Sequence, residues 1–502
     1  MSIRAALTGL FLMISLPATG TVRPGSPWEN LASRFKKEIR IGMPRVQKIL
    51  YGHPQLGYFP PEAVRRVGNN LLATIIPPTY KHPVHILGFK KGRWIRLKNR
   101  RFRSPLPPAF NLIRTSVTGR FTSPFYLLSG SLPRSRFRAW RDATPKPDMP
   151  MKNRTRFTFP MVVNAFGEIV WTWVPRRDQG PLGNYVVFKR TGPGNFGILL
   201  GKETSLFQTV RWDGRLLKNL SIRTFNSAVP LHHEFVQFNG KSFLSLGYDA
   251  RSYESSKSYL TSTVARVDLA RSTVTILKDF GDYFHVGLNK WQEEKNKTHF
   301  VHWDKANADH DFTHANGILP VDQGYLISFR HLNRVALVKK DWKMAWTLGP
   351  DKDNDIVATG GAAFSFQHSP FFRGPNKLVL FDNGFRRKKS RIVGLRIEGK
   401  KAVLDWQFPA EPMFYAKDRG SVSPLPSGNL LAFFVDPKIL GKKRPKMTRS
   451  DYMIEFHPEK GREVARMKIL FFTKSPGYRA LPLQQIGRKK SRLPPARVQG
   501  LP

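Results

Sequence analysis

Gly324-Tyr-Leu-Ile-Ser-Phe329, Val335-Ala-Leu-Val338 and Asp341-Trp-Lys-Met-Ala-Trp346 follow one another with little but turn residues between them. Their apolar positions recur at the two-residue period of a half-buried strand, and Gly, Asn and Asp punctuate the ends, so the stretch reads as an antiparallel meander. The same order returns in Asn376-Lys-Leu-Val-Leu-Phe381, Arg391-Ile-Val-Gly-Leu-Arg396 and Gly399-Lys-Lys-Ala-Val-Leu-Asp-Trp406. It returns again in Gly428-Asn-Leu-Leu-Ala-Phe433, Asp451-Tyr-Met-Ile-Glu-Phe456 and Gly461-Arg-Glu-Val-Ala-Arg466. The closing phrase of each set, a turn followed by alternating apolar positions, also stands at Gly167-Glu-Ile-Val-Trp-Thr-Trp173, Asp213-Gly-Arg-Leu-Leu217 and Ser272-Thr-Val-Thr-Ile-Leu277. Six copies of a strand meander at a spacing of about 40 to 70 residues predict an all-β chain, a six-bladed β-propeller whose radial packing leaves only short sheet edges. A stacked solenoid is the alternative, disfavoured by the blade-length repeats with aromatic outer strands.

The organisation around that core follows from composition. The 502 residues, 40% hydrophobic and 12% aromatic, can bury a large core. Lys and Arg outnumber Asp and Glu by 83 to 35, a net charge of +48 that favours anionic partners. Half of that excess falls in residues 1–156, where Gly92-Arg-Trp-Ile-Arg-Leu-Lys-Asn-Arg-Arg-Phe-Arg103 mixes aromatic and basic side chains. The absence of cysteine excludes disulfides, thiol catalysis, zinc–thiolate sites and iron–sulfur clusters. Met1 to Arg4, the apolar Ala5–Leu16 run and the small residues Ala18-Thr-Gly20 have the layout of a cleaved secretory signal. No later stretch has the length of a membrane-crossing helix. The expected organisation is therefore a signal peptide at 1–20, a basic N-terminal extension or small domain at 21–158, the propeller at 159–475 and a basic, disordered tail at 476–502, in an exported, periplasmic protein. Export makes nucleic acid an unsuitable partner and leaves an anionic envelope polymer as one that the basic third could meet; a homodimer is among the assemblies the sequence permits.

In a propeller the innermost strands line one channel, so residues at their starts share a cavity. Leu231-His-His-Glu234, Asp311-Phe-Thr-His-Ala-Asn316 and Gln367-His368 each place histidine one strand ahead of an apolar run, and Gly420-Ser-Val422 fills the equivalent slot in a later blade. From His233 the intervals to His314, His368 and Ser421 are 81, 54 and 53 residues, blade-like steps that would bring distant imidazoles together. Other motifs read as structure. His310-Asp-Phe-Thr-His314 mimics a helical metal pair, but its surrounding Asn, Asp, Gly and Pro disfavour a helix. Gly192-Pro-Gly-Asn-Phe-Gly197 lies in a meander without a βαβ unit and reads as a turn. Asp351-Lys-Asp-Asn-Asp355 lacks the glycine and distal glutamate of a calcium loop and reads as solvated. The tryptophans at 171, 173, 342 and 346 read as blade packing.

The ordered set His-His-Glu at 232–234, Asp-x-x-His-x-Asn-x-Ile at 311–318, Ser-x-Arg-His-Leu-Asn at 328–333, Gln-His at 367–368, Leu-Phe-Asp-Asn-Gly at 380–384 and Gly-Ser-Val-x-x-Leu-Pro-x-Gly-Asn at 420–429 resembles the bacterial arylsulfate sulfotransferases. The resemblance covers about residues 160–470. It implies a six-bladed propeller that moves a sulfuryl group from a phenolic sulfate donor to a phenol acceptor without a nucleotide sulfate, with no cofactor and no metal. It makes His368 the nucleophile of a ping-pong reaction through a sulfohistidine, His314 and Arg330 the partners of the sulfuryl or phenolic oxygens, and Asn316 a supporting substrate-binding group. His233 is the fourth member, with the adjacent His232 left open. The residue types suit the chemistry: charge on three sulfuryl oxygens calls for cationic donors, and imidazole is both nucleophile and proton carrier. Two positions depart from the family pattern, Glu234 in place of aspartate and Ser369-Pro370 after the histidine. A propeller that only binds an anionic glycan, and an aryl sulfate hydrolase in which water intercepts the sulfohistidine, are the alternatives.

Overall fold

The computed structural model describes strands within residues 46–101, and residues 113–133, 156–167, 169–173, 186–192, 195–200, 206–211, 216–221, 231–239, 242–253, 257–284, 310–411, 413–441, 449–471 and 477–484. The expected signal at 1–20 and the tail beyond 484 lie outside these. Among the described residues the secondary structure is β-strand, with one 3-10 turn at Gly360–Ala362. None of the described helices is long and apolar enough to cross a membrane. The basic N-terminal stretch contributes an antiparallel sheet of Val46–His53, Gly57–Phe59, Pro83–Lys90 and Arg93–Arg101.

Six further antiparallel meanders, called sheets below, follow among the described residues, the fourth and fifth joined through Ile356–Ala358 into one nine-stranded array. The second to fifth are local in sequence: Val186–Gly192 to Leu216–Ser221, Leu231–Asn239 to Thr273–Asp279, Ala315–Val321 to Met344–Gly349 and His368–Phe372 to Lys401–Phe408. The six recurring sequence phrases are the fourth strands of the six sheets, from Ile169–Thr172 in the first to Arg462–Phe471 in the sixth. Among the described turns that precede them, Gly167, Gly399 and Gly461 have left-handed backbones, with φ of 82°, 59° and 58°, where a side chain would be strained.

The first and sixth sheets are assembled from both ends of the chain. Leu481–Leu483 pairs with Phe125–Pro133, which continues to Arg156–Asn164 and Ile169–Thr172. Ile113–Gly119 pairs with Arg462–Phe471 as a fifth strand of the sixth sheet. The sheets thus take in Ile113–Gly119, Phe125–Pro133 and Leu481–Leu483, on both sides of the 159–475 span expected from the sequence. A three-residue apolar run such as Leu481-Pro-Leu483 carries no periodic signal; its pairing partner lies more than 350 residues away. One cluster joins Tyr126, Phe159 and Met161 of the first sheet to Phe433, Met453 and Met467 of the sixth. Buried Glu455 ties the same pair, accepting from the Thr122 amide and hydroxyl at 2.8 Å each.

Neighbouring sheets pack face to face through similar clusters, such as Leu246, Phe280, Ile327 and Phe329 between the third and fourth. Trp171, fully buried, meets Phe196 at 4.8 Å between the first and second, which is the packing role expected of it. Gly192 and Asn195 pair at the end of two antiparallel strands, in keeping with the turn expected between them. The first strands of the second to sixth sheets touch in succession. Their starts therefore share one place in the fold, and the histidines stand there.

Candidate active site

Each first strand is bulged where its functional residue stands. His232 pairs with Leu246 but Phe235 with Ser245, so His233 and Glu234 are extruded from the ladder. Ala315 pairs with Phe329 and Gly317 with Ser328, which leaves Asn316 unpaired. His368 pairs with Phe381 and Phe371 with Val379, an irregularity that absorbs Ser369-Pro370. Bulges re-aim side chains out of the alternating pleat. The backbone strain matches: His233, His314 and Ser369 have φ of 59°, 45° and 52°, a left-handed conformation that costs non-glycine residues of order 1–3 kcal/mol. Surrounding pairing holds these residues in that conformation.

His368 is buried. Its Nδ1–H donates to Asn383 Oδ1 at 2.7 Å, and Asn383 is oriented by donating its own Nδ2 to the Ala416 and Arg419 carbonyls at 2.9 and 2.8 Å. That orientation presents oxygen to the imidazole, fixes the Nδ1–H tautomer and leaves the lone pair on Nε2. Burial, followed by the Arg330 and Arg479 charges, pushes the His368 pKa down to about 3 against the pull of Asn383, so the ring is neutral near pH 7.

A second set of polar contacts is centred on His314. His314 Nδ1 bonds the Asp311 carboxylate, and the Tyr248 hydroxyl sits 3.1 Å from the same nitrogen and donates to Asp311 Oδ2 at 3.3 Å. A carboxylate on Nδ1 directs the other ring nitrogen of His314 to chemistry and stabilises its protonated form. His331 stacks on His314 at 4.3 Å, donates from Nδ1 to the Asp311 carbonyl at 2.6 Å and accepts at Nε2 from the Arg330 guanidinium at 2.6 Å. Arg330 is buried and lies 4.1 Å over the Phe366 ring. Burial lowers its pKa and Asp418 and Asp311 oppose that, so it remains a cation.

Both histidines of the pair touch this group, His233 nearer to His314: its ring is 4.7 Å from His314 and 5.6 Å from Tyr478. His232 stacks on Tyr248 at 3.6 Å, with its ring 6.5 Å from His314. Asn316 does not offer its amide nitrogen to the cavity. That group donates to the Gln367 carbonyl at 2.7 Å, so Asn316 holds the backbone beside His368, while its buried Oδ1 has no partner. Glu234, the departure from aspartate, reaches Arg479 and Lys189. The sequence reading missed Tyr478 and Arg479, brought in by the C-terminal segment. Tyr478 lies 6.1 Å from the His368 ring, and its hydroxyl donates to the Asn316 carbonyl at 3.2 Å. Asp311, His331 and Asn383 stood inside the quoted motifs without an assigned role; Tyr248, Tyr478 and Arg479 had no local signal.

Among the described residues Asp311, His314 and His331 offer atoms close enough to share a cation. The fit is poor, because both nitrogens of His331 are engaged and the Arg330 cation is one of the partners. His310, the other half of the metal-like pair, forms a short strand with Asp311 beside Tyr259 and Leu260. The Asp351–Asp355 loop faces solvent as expected, with Lys352, Asp353 and Asp355 exposed, and its carboxylates are also tied to protein: Asp353 pairs with Arg334, Asp351 with Arg386 at 3.7 Å, and Asp355 accepts from the Thr347 amide at 2.8 Å.

The assembly is a buried, neutral imidazole, a histidine–carboxylate pair able to carry a proton and a buried guanidinium, which together suit transfer of an anionic group. Comparison with known proteins points the same way. Residues 114–401, more than half of the chain, match the family described as Arylsulfotransferase (ASST). No curated protein matches the chain. Among solved structures it is similar to a protein from Lactobacillus plantarum, at 10% identity over 72% of this chain and 99% of that one, with a TM-score of 0.35. It is also similar to a putative 6-phosphogluconolactonase from Bacteroides fragilis NCTC 9343, at 10% identity over 81% and 96% with a TM-score of 0.29. An oligogalacturonate lyase in complex with manganese gives 8% identity over 72% and 96% with a TM-score of 0.28. The chain belongs to the arylsulfotransferase family.

Proposed function

We propose that the protein moves a sulfuryl group from a phenolic sulfate ester to an acceptor phenol in two displacements through a sulfohistidine at His368. The observation that carries this reading is the Asn383-held, buried and neutral His368 ring, whose lone pair is on Nε2. In the first step Nε2 attacks sulfur, the bond from sulfur to the aryl oxygen breaks, and the departing phenolate takes a proton from His314, which Asp311 supports as imidazolium. Arg330, with His233 nearby, holds the sulfuryl oxygens as charge redistributes among them. In the second step neutral His314 accepts the acceptor phenol's proton as its oxygen attacks sulfur, and the bond from sulfur to Nε2 breaks. Atoms and protons return to their starting places. We further propose that the six sheets are the blades of one closed ring and that the chain is exported to the periplasm; N-terminal sequencing of the protein recovered from cells tests the second point.

The reaction is tested with 4-nitrophenyl sulfate, with and without phenol. Acceptor-dependent nitrophenolate release, with a mass increment of one sulfuryl group on the donor-treated enzyme, is expected. Equal release without acceptor means hydrolysis, and no release means a binding protein. His368→Ala should abolish both release and the mass increment while the far-ultraviolet spectrum stays that of wild type.

A further inference from the structure

Outward from Arg330 runs a column of alternating cations and rings. The guanidinium lies 4.1 Å over Phe366, Phe385 stacks on Phe366 at 4.3 Å, and the Lys388 ammonium lies 3.8 Å over Phe385. Parallel neighbours at such distances must occupy opposite faces of each ring, so Arg330 and Lys388 are the two ends. Beside the outer end is Tyr415, whose ring centroid is 5.6 Å from the same ammonium. The Tyr415 residue is buried, yet its hydroxyl has no hydrogen-bond partner, an arrangement that costs free energy unless a ligand supplies one. Burial raises its phenol pKa, and the charges of Arg330 and Asp418 also act on it.

The charges around this end are strongly asymmetric. Arg387 pairs with Asp382, Arg386 with Asp351, and Asp418 with Arg419 at 2.9 Å. Lys388 forms no ion pair with a carboxylate among the described residues, and Lys389 and Lys417, both exposed, add to the excess. A surplus of ammonium groups at a half-open rim, next to an unsatisfied buried hydroxyl donor, suits an anion with hydrogen-bond acceptors.

We propose that Lys388 and Tyr415 form an outer subsite for a carboxylate or second sulfate carried on the phenolic substrate, so that the preferred substrates are aryl compounds anionic at the end remote from the reacting oxygen. The inference rests on the sulfuryl-transfer reading of the same site. Phe366 and Phe385 would flank the substrate's path between the two cations, and the remote anion would displace no existing ion pair.

The test compares 3-(4-hydroxyphenyl)propanoate with 4-propylphenol, a neutral acceptor of nearly the same length, using 4-nitrophenyl sulfate as donor. The expected ratio of kcat/KM values is about tenfold or more in favour of the carboxylate, falling with added salt. Lys388→Gln should bring the ratio close to one, and Tyr415→Phe should lower it severalfold. A wild-type ratio near one, or a preference that survives Lys388→Gln, overturns the proposal while leaving the transferase reading intact. If nothing is turned over, the transferase reading fails, and calorimetric binding decides the subsite separately: wild type should bind the propanoate more tightly than 4-propylphenol and Lys388→Gln should not. Equal binding of the two compounds by wild type overturns the subsite.

Discussion

Lowering the pH from about 8 to about 4.5 should leave His368 neutral. The ordinary histidine pKa is 6.5, and burial, Arg330 and Arg479 bring it down to about 3 in the folded protein. At about 1.4 kcal/mol per unit, that separation corresponds to roughly 5 kcal/mol of resistance to protonation, an order-of-magnitude figure. The sign follows from linkage. The folded pKa is below the unfolded one, so between about pH 6.5 and 3 the unfolded chain binds a proton that the native chain refuses. Stability from this site is therefore intact above about pH 6.5 and is lost as the pH falls toward 3. The direct assay is nitrogen NMR of protein labelled at histidine, with His368 assigned by the signals missing in His368→Gln. Nδ1 should carry the proton and Nε2 the lone pair down to about pH 4.5. In urea unfolding, the stability of His368→Gln relative to wild type should rise as the pH drops below 6.5, by at most about 1.4 kcal/mol per pH unit. A His368 titration midpoint near 6.5, or a proton on Nε2 near neutrality, would refute the argument that this ring is held ready to attack.

Asn383→Ala removes the acceptor for His368 Nδ1–H and the groups that orient it, and should lower kcat for 4-nitrophenyl sulfate about 100-fold with a smaller change in KM, measured in steady state. Asp311→Asn should slow turnover most for donors with poor leaving groups and least for 4-nitrophenyl sulfate, because the loss falls on the proton supplied through His314; equal slowing across a series of substituted phenyl sulfates would count against that role. Arg330→Lys keeps a charge but loses the planar fork and the stacking on Phe366, and should cost about 10-fold or more in kcat/KM. Gly394→Ala would put a methyl carbon 2.3 Å from the Trp406 ring, and thermal denaturation should show a loss of about 1–3 kcal/mol with no change in which substrates are used.

The sheet meanders were legible because a half-buried strand writes its two-residue period into the sequence, and because described turns before fourth strands, at Gly167, Gly399 and Gly461, need a left-handed residue. His233, His314 and His368 were recognisable as chemistry-bearing types at blade-like intervals, and Arg330 through the family resemblance. Their partners were less so. Asn383 and His331 sat in the quoted motifs, but their importance lies in which atom faces which, and that is a property of packed neighbours. Asn316 was expected to face substrate, and its amide nitrogen instead holds the Gln367 carbonyl.

By itself, then, the order of residues determined an all-β chain with repeated four-strand units, a strongly cationic character and the candidate residues of a site. Tertiary structure alone decided that His233 lies nearer to His314 than His232 does, since a bulge breaks the alternation that would have set their faces. It also decided that the two ends of the sheet system complete the first and sixth sheets, delivering Tyr478 and Arg479 to residues 162 and 245 positions away. Local periodicity reports which face of a strand is apolar; it does not encode which distant strand pairs with it, because that choice is made by the whole core closing at once.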